Sequence, residues 1–376
     1  MPQSGEKIHK RRDGRWEGRY KKGRAVNGKI IYQSVYGKSY EEVKEKLKRY
    51  PELNPSEQAT TGISFEETAL EWLEYERLRL KAASVSKYQY LLEKHVLPEF
   101  GSVLLPDITA QQINAFLCKN AEGGRPSRQG GLSASYINSI RGVINSIIRY
   151  AVGAQMMQPL CSMPAKISEP VREITILTHE EQSRLEYQLI HQPNPVKLGV
   201  LLSLYTGMRI GEICALSWED VDLIQKVVYV RHTVARVRNP VSVDGPRTKL
   251  ILDRPKTKAS KREIPVSSLL KPIIQQVKTH SVSPYVISAS GCFVSPRTYE
   301  YRYHKLLKSC GIREVNYHAL RHTFATRCIE VGMDVKSLSE ILGHANVGIT
   351  LNTYVHSSLE MKRKQMEKLD YTMSFK

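Results

Sequence analysis

Residues 197–218 read KLGVLLSLYTGMRIGEICALSW. An apolar helical run meets Thr206-Gly207, a tight turn, and a second apolar run follows at once. The spacing predicts helix, turn, helix, with Arg209 just ahead of the second helix. Backbone N–H groups and the helix dipole favour an anion at that place. A guanidinium there can take two phosphate oxygens in fork geometry. Glu212, one turn on, can hold or pair that side chain. The bland alternative is an ordinary surface arginine, which the apolar flanks on both sides disfavour.

Working outward, residues 318–328 read HALRHTFATRC. His318 and Arg321 stand three apart and so share one face of a helical turn. His322 points away by about 100° and reads as a buried, hydrogen-bonded structural residue. Residues 255–266, PKTKASKREIPV, read as the tip of a hairpin carrying a lysine loop between two strands. A mobile ammonium there can protonate a departing 5′ oxygen, which otherwise leaves as a poor alkoxide. Lys256 is the candidate, with Lys258 and Lys261 as competitors; a solvated basic turn is the plain alternative. Residues 341–356, ILGHANVGITLNTYVH, end a helix at Gly343, place His344 next, and carry Tyr354 within a further helix. An unperturbed phenol titrates near 10, and two neighbouring arginines and a phosphate would favour its ionised form. Alone, Tyr354 is one of twenty tyrosines.

Together these residue types suit one chemistry. Arg209, Arg321 and a lysine can neutralise and protonate a pentavalent phosphate. His318 and His344 can donate hydrogen bonds or shuttle protons, and Tyr354 can carry a covalent ester. Such an ester stores the energy of the cleaved bond, so rejoining needs no ATP, and the scheme needs no metal or other cofactor.

The bulk composition agrees with a polyanionic partner. The 376 residues carry 56 Lys and Arg against 37 Asp and Glu, a formal charge of +19, which points to nucleic acid before an anionic membrane. No stretch approaches the roughly 18 apolar residues of a membrane span. The basic N-terminus lacks the apolar core of a secretory signal. The six cysteines show no paired spacing, and Cys214 and Cys328 sit among apolar helical residues as reduced core thiols. A protein of a reducing cytoplasm is expected.

Three segments follow. In residues 1–38, eleven Lys/Arg face three Asp/Glu. Asp13-Gly14 and a later Gly/Asn turn divide this stretch into three short strands, and Ser39 caps a helix through YEEVKEKLKRY. Such a sheet can press its exposed face into a major groove. On the second strand Trp16 and Tyr20 share the face expected against the helix, leaving Arg15, Arg19 and Lys21 for DNA; a solvated basic sheet is the alternative. Pro51 to Thr61 reads as a polar linker. Residues 63–166 read as four helices, one opening at Ser84-Val85-Ser86 and the last burying Ile137, Ile140, Val143, Ile147 and Ile148. Ser86 and Lys87, and Ser135, Asn138 and Arg141 on the polar side of that last helix, are candidate DNA contacts. Tyr88 and Tyr136 read as packing or phosphate-contact residues. A second linker leads to Thr178, whose capping box with Glu181 opens the third segment. That segment reads as helices to Leu216, strands over about 227–266, and helices to the end.

The ordered set TGMRIGE, PKT followed by REIP, HALRHTFAT, LGH and NTYVH resembles the tyrosine recombinase (phage integrase) family. The resemblance covers the third segment and, more loosely, the other two. The distance from LGH to the tyrosine is one residue longer than in the commonest members. It implies Arg209, Lys256, His318, Arg321 and His344 around a phosphate, with Tyr354 as nucleophile. The implied fold is multidomain α+β: a small three-stranded β-sheet plus helix binding arm-type DNA (1–60), a helical SAM-like core-binding domain (63–166), and a mainly α catalytic domain with a small antiparallel sheet (174–376). An arm-binding domain points to integrases of temperate phages and conjugative transposons. A homotetramer on double-stranded DNA, strand exchange through a Holliday junction, an accessory directionality or DNA-bending protein, and a bacterial host are implied with it. Leu359, Met366, Leu369 and Phe375 in the tail are expected to pack on a neighbouring protomer or on their own domain. A type IB topoisomerase and a DNA-binding regulator without chemistry remain the alternatives.

Overall fold

Strand alternation and the Asp13-Gly14 turn build the first structural piece, a three-stranded antiparallel sheet of β1 (Ile8–Lys10), β2 (Trp16–Arg24) and β3 (Ile30–Gly37) in that order. The computed structural model describes residues 8–11, 13–24, 30–53, 62–123, 130–160, 162–169, 174–239, 246–255, 258–354, 363 and 366, with backbone alone at 20–24, 30–33, 49–53 and 258. Helix α1 (Tyr40–Leu53) starts at Ser39, whose hydroxyl accepts the Glu42 N–H, and runs through Pro51. The polar linker therefore begins later than the sequence suggests. Ile8, Val35 and Val43 are buried with Trp16, Tyr40 and Leu47 packed on them. Trp16 meets Tyr40 edge-on at 5.4 Å, so the aromatic side of β2 faces the helix, as its alternation predicts. The side chains of Tyr20 and Lys21 lie outside the described residues.

The helical piece comprises α2 (Phe65–Arg77), α3 (Ala82–Leu91), α4 (Leu97–Phe100), α5 (Ala110–Gly123) and α6 (Ala134–Gly153). Ser64 and Glu67 close a capping box on α2. Helix α3 starts two residues before Ser84 and passes into a π turn at Leu92–Val96 before α4. Phe100 packs on Phe65 and Phe116 at 6.0 and 5.2 Å. Ile137, Ile140, Val143, Ile147 and Ile148 of α6 are all buried; each such side chain contributes about 1.5–3 kcal/mol relative to exposure. Tyr88 stacks on Trp72 at 5.6 Å, and Tyr136 meets His95 at 5.4 Å.

By contacts the chain divides into two units, residues 1–79 with 88–168, and residues 80–87 with 169–376. In the second, Thr178 and Glu181 form the expected capping box on α7 (His179–Ile190). Then come α8 (Pro195–Thr206), α9 (Ile210–Ala215), β4 (Val221–Asp222), β5 (Val227–Val230), β6 (Thr233–Arg238), β7 (Thr248–Asp253), β8 (Arg262–Pro265), α10 (Lys271–Thr279), α11 (Pro296–Ser309), α12 (His318–Glu330), α13 (Val335–Leu342) and α14 (Val347–Tyr354). Helix α8 is apolar all round because it is the centre of the core, with Leu198, Val200, Leu201, Leu202 and Leu204 buried.

The expected lysine hairpin is not formed. β7 pairs with β6, whereas β8 pairs with β5 in the β4–β5–β8 sheet. The segment between β7 and β8 thus joins two separate sheets. Cys214 and Cys328 are buried free thiols, as expected, and Cys118, Cys292 and Cys310 are also free. No helix among the described residues is long and apolar enough to cross a membrane.

Candidate active site

The predicted turn holds. Helix α8 ends at Gly207, whose φ of 64° is the left-handed conformation that glycine adopts without penalty. The chain reverses there, and Arg209 becomes the N-cap of α9. Its N–H and its Nη1 both donate to the Glu212 carboxylate, each at 2.9 Å. The expected Arg209–Glu212 pairing is present.

Glu212 also takes a partner the sequence reading missed. Arg262, the first residue of β8, donates Nη1 and Nη2 to the two carboxylate oxygens at 3.0 and 2.8 Å. Both side chains are only 5% exposed. Burial alone would push the Glu212 carboxyl up, but Arg262 and then Arg209 outweigh it and hold the group below its ordinary range. Arg262 Nε further donates to the Ile341 carbonyl. Its sequence signal was the REIP run that it opens, to which no role had been assigned.

Arg321 lies in α12 and is 1% exposed. Nη1 donates to the Gly207 carbonyl and Nη2 to the Leu342 carbonyl, both at 2.8 Å. Ile341 and Leu342 end α13, where backbone carbonyls lack helical partners; the two arginines supply them. Gly343 then turns the chain at φ 67°. A Cβ there would sit 3.0 Å from the Ala259 carbonyl and the Arg262 side chain, so glycine permits the close approach. Burial, then Arg209, lowers Arg321 to about 9, which leaves it charged at neutral pH.

His344 accepts from Arg321 Nη2 at Nε2 (2.8 Å). A guanidinium has no acceptor, so the imidazole proton sits on Nδ1 and is donated to Thr350 Oγ1 at 2.8 Å. Thr350 is fully buried and was not anticipated. His318 opens α12 with its residue surface still open to solvent. Loss of hydration is the largest influence on both histidines, followed by neighbouring cations and imidazoles, and each is lowered to about 4.

Tyr354 is the last residue of α14 and is 7% exposed. It packs in a small core with Ala325, Cys328, Ile329, Leu338 and Leu342. Burial raises its phenol above the ordinary value, and Arg321 and Arg209 offset this only in part. The arginines act in the expected direction, but desolvation outweighs them. His322 is also not merely structural in placement, since its Nδ1 lies 2.9 Å from Tyr354 Oη. His322 stands one turn on from His318, their rings meeting edge to face at 4.5 Å, so it shares that face and does not point away from it.

Three hydrogen-bonded groups, Arg209–Glu212–Arg262, Arg321–His344 and His322–Tyr354, thus lie close enough for Arg209, Glu212, Arg262 and Tyr354 all to act on the charge of Arg321. Lys256 lies outside the described residues; Lys258 opens a short 3-10 turn at Lys258–Ser260. The other sequence candidates are placed as follows. Arg15 pairs with Asp13 at 2.9 Å. Arg19 pairs with Glu17 at 3.0 Å, and Glu17 also holds Arg11 and Ser34. Ser86 Oγ accepts the Arg238 N–H at 2.9 Å, and Lys87 is exposed. Asn138 exchanges two hydrogen bonds with the Ile167 backbone at 2.9 Å, and Arg141 Nε donates to the Pro164 carbonyl. Ser135 is exposed. The tail is described only at Arg363 and Met366, both exposed, so its packing lies outside the described residues.

Residues 175–361 match the phage integrase family, and residues 64–119 match the phage integrase N-terminal SAM-like domain. A "Tyrosine recombinase XerC-like" protein of Caldanaerobacter subterraneus subsp. tengcongensis is 28% identical, covering 93% of this chain and 94% of that one. The transposase of transposon Tn916 from Enterococcus faecalis is 25% identical over 52% of this chain and 51% of its own length. Among solved structures, the Tn1549 transposon integrase in complex with transposon right end DNA superposes with a TM-score of 0.66 at 22% identity, covering 82% of this chain and 100% of that one. The lambda integrase tetramer bound to a Holliday junction gives 0.57 at 18% identity over 93% and 95%. At these identities both likenesses speak for the fold.

Proposed function

Because this chain belongs to the phage integrase (tyrosine recombinase) family, whose members break and rejoin DNA strands, we propose that it is the integrase and excisionase of a mobile element. Tyr354 attacks a phosphodiester, forms a 3′-phosphotyrosine and releases a 5′ hydroxyl. The observation that carries this reading is that Tyr354 lies within the electrostatic reach of Arg321 and Arg209, with Glu212 and Arg262 holding Arg209 in place. Arg209 and Arg321 bind the non-bridging oxygens and compensate the charge that grows on them in the transition state. His318 and His344 bind the same oxygens or assist proton transfer. Lys256, or Lys258 as its neighbour, protonates the leaving 5′ oxygen.

The three segments take the roles their sequence suggests: an arm-type DNA reader at 1–60, a core-binding domain at 63–166 and a catalytic domain at 174–376. Arg15, Arg19 and Lys21 address arm DNA; Ser86, Lys87, Ser135, Asn138 and Arg141 address the core site. Four protomers bring two sites together and exchange strands through a Holliday junction, with an accessory directionality or DNA-bending protein, in the cytoplasm of a bacterial host.

A nicked suicide substrate made from the ends of the encoding element tests this. Covalent trapping of the wild type on those ends, and none with Tyr354→Phe, is the expected result. Trapping on unrelated DNA at the same rate would favour a topoisomerase. No trapping on any DNA would favour a regulator.

A further inference from the structure

Cleavage of this kind leaves one proton unaccounted for, that of the attacking phenol. Burial makes Tyr354 a weaker acid than a free tyrosine, so attack at neutral pH calls for an acceptor. Three imidazoles stand near. His344 has both nitrogens engaged, Nε2 by Arg321 and Nδ1 by Thr350. His318 touches its neighbour His322 ring edge to face, at 4.5 Å between centroids. His322 alone of the three bonds the phenol oxygen, at 2.9 Å.

The direction of that bond follows from its surroundings. Arg321 is a neighbouring cation that favours loss of the phenolic proton. The 2.9 Å contact gives that proton a path to His322 Nδ1. Burial, then Arg321, lowers the His322 imidazole, which keeps it neutral and able to accept. Arg321 and His322 are consecutive in α12, so one helical turn sets both the oxyanion cation and the proton acceptor.

We propose that His322 is a catalytic base that takes the phenolic proton of Tyr354 as the tyrosine attacks the phosphate. The Oη–H bond breaks, with its proton passing to Nδ1 and its electron pair to the new Oη–P bond. The P–O5′ bond breaks, and the departing oxygen takes a proton from the lysine. On rejoining, a 5′ hydroxyl gives its proton to the lysine and displaces the tyrosine, and the imidazolium returns its proton to Oη. This rests on Tyr354 being the nucleophile.

Single-turnover trapping on the nicked substrate tests it, with His322→Ala and His322→Gln beside the wild type. Loss of the base should slow covalent capture by about 10²–10⁴-fold while DNA binding is kept. Added imidazole should restore capture by His322→Ala, whose cavity admits it, and not by His322→Gln. Replacing Tyr354 by a more acidic fluorinated tyrosine should shrink the penalty of either variant. If His322→Ala captures DNA at the wild-type rate, His322 is not the base. If both variants are slow but indifferent to imidazole and to phenol acidity, the residue only positions the tyrosine, and the proposal falls. Should Tyr354→Phe itself become covalently attached, the nucleophile assignment fails instead, independently of His322.

Discussion

The arginines of the first sheet and those of the second unit are the same side chain used in opposite ways. Arg15 and Arg19 are exposed and lean on Asp13 and Glu17, with 61% and 58% of their side chains open to water. Arg262 and Arg321 are buried and held by a carboxylate and by helix-end carbonyls. Exposed pairs in high dielectric are weak and exchangeable, so a backbone phosphate can replace Asp13, and Arg19 can turn outward while the buried Glu17 keeps Arg11 and Ser34. Buried guanidinium groups fixed at several donors cannot reorient, and the geometry is already set before a phosphate meets it. One set suits binding, the other suits stabilising a transition state.

The sharpest way to break that contrast is to remove the group the buried set serves. Tyr354→Phe should abolish covalent DNA attachment while electrophoretic binding to the same DNA persists. Next, Lys256→Ala should slow cleavage by about 10²–10⁴-fold, and a substrate with sulfur as the 5′ leaving atom should recover most of the loss. If Lys258→Ala behaves that way and Lys256→Ala does not, the acid is Lys258. Glu212→Gln leaves Arg262 buried without its charge partner. A loss of about 3–5 kcal/mol in denaturant unfolding is expected, with cleavage falling alongside it.

Acidification gives a smaller effect of defined sign. His318 and His344 fall to about 4 from an ordinary 6.5, so the unfolded chain binds their protons more tightly. Stability present above about pH 6.5 should be lost as pH falls towards about 4, and His318→Gln with His344→Gln should flatten the melting-temperature profile. The least change is expected from Arg19→Ala, which should leave melting unaltered. It should reduce the slope of log K against log salt for arm DNA by about 0.9 if one phosphate contact is lost; an unchanged slope would make Arg19 a purely intramolecular partner of Glu17.

Much of this was legible because it is local. The apolar stripe of α6, the capping box at Thr178 and the turn at Gly207 are written within a few residues of one another, and helical period and cap chemistry suffice to read them. Arg209 and Glu212 fall in the same class. What escaped depends on distant partners. The lysine segment looked like a hairpin because two β-rich runs flank it, but the competing partners β5 and β6 took one strand each. Arg262 was hidden because its place is given by Glu212 and by a helix end 79 residues away. The hydrogen bond of His322 was expected, but its partner was not, because Tyr354 comes to it from 32 residues further along the chain. The pull of the arginines on Tyr354 was legible, but the larger effect of its burial was not, because charge counts in sequence carry no desolvation.

The end of α13 has a further consequence. A side-chain acid that anchors a cation also cancels it, as Glu212 does for one of the positive charges beside it. Arg321 is steadied instead by the Gly207 and Leu342 carbonyls, dipoles that grip a guanidinium without neutralising it. With three guanidinium groups and one carboxylate, the surplus of positive charge survives its own scaffolding and is left for an incoming polyanion.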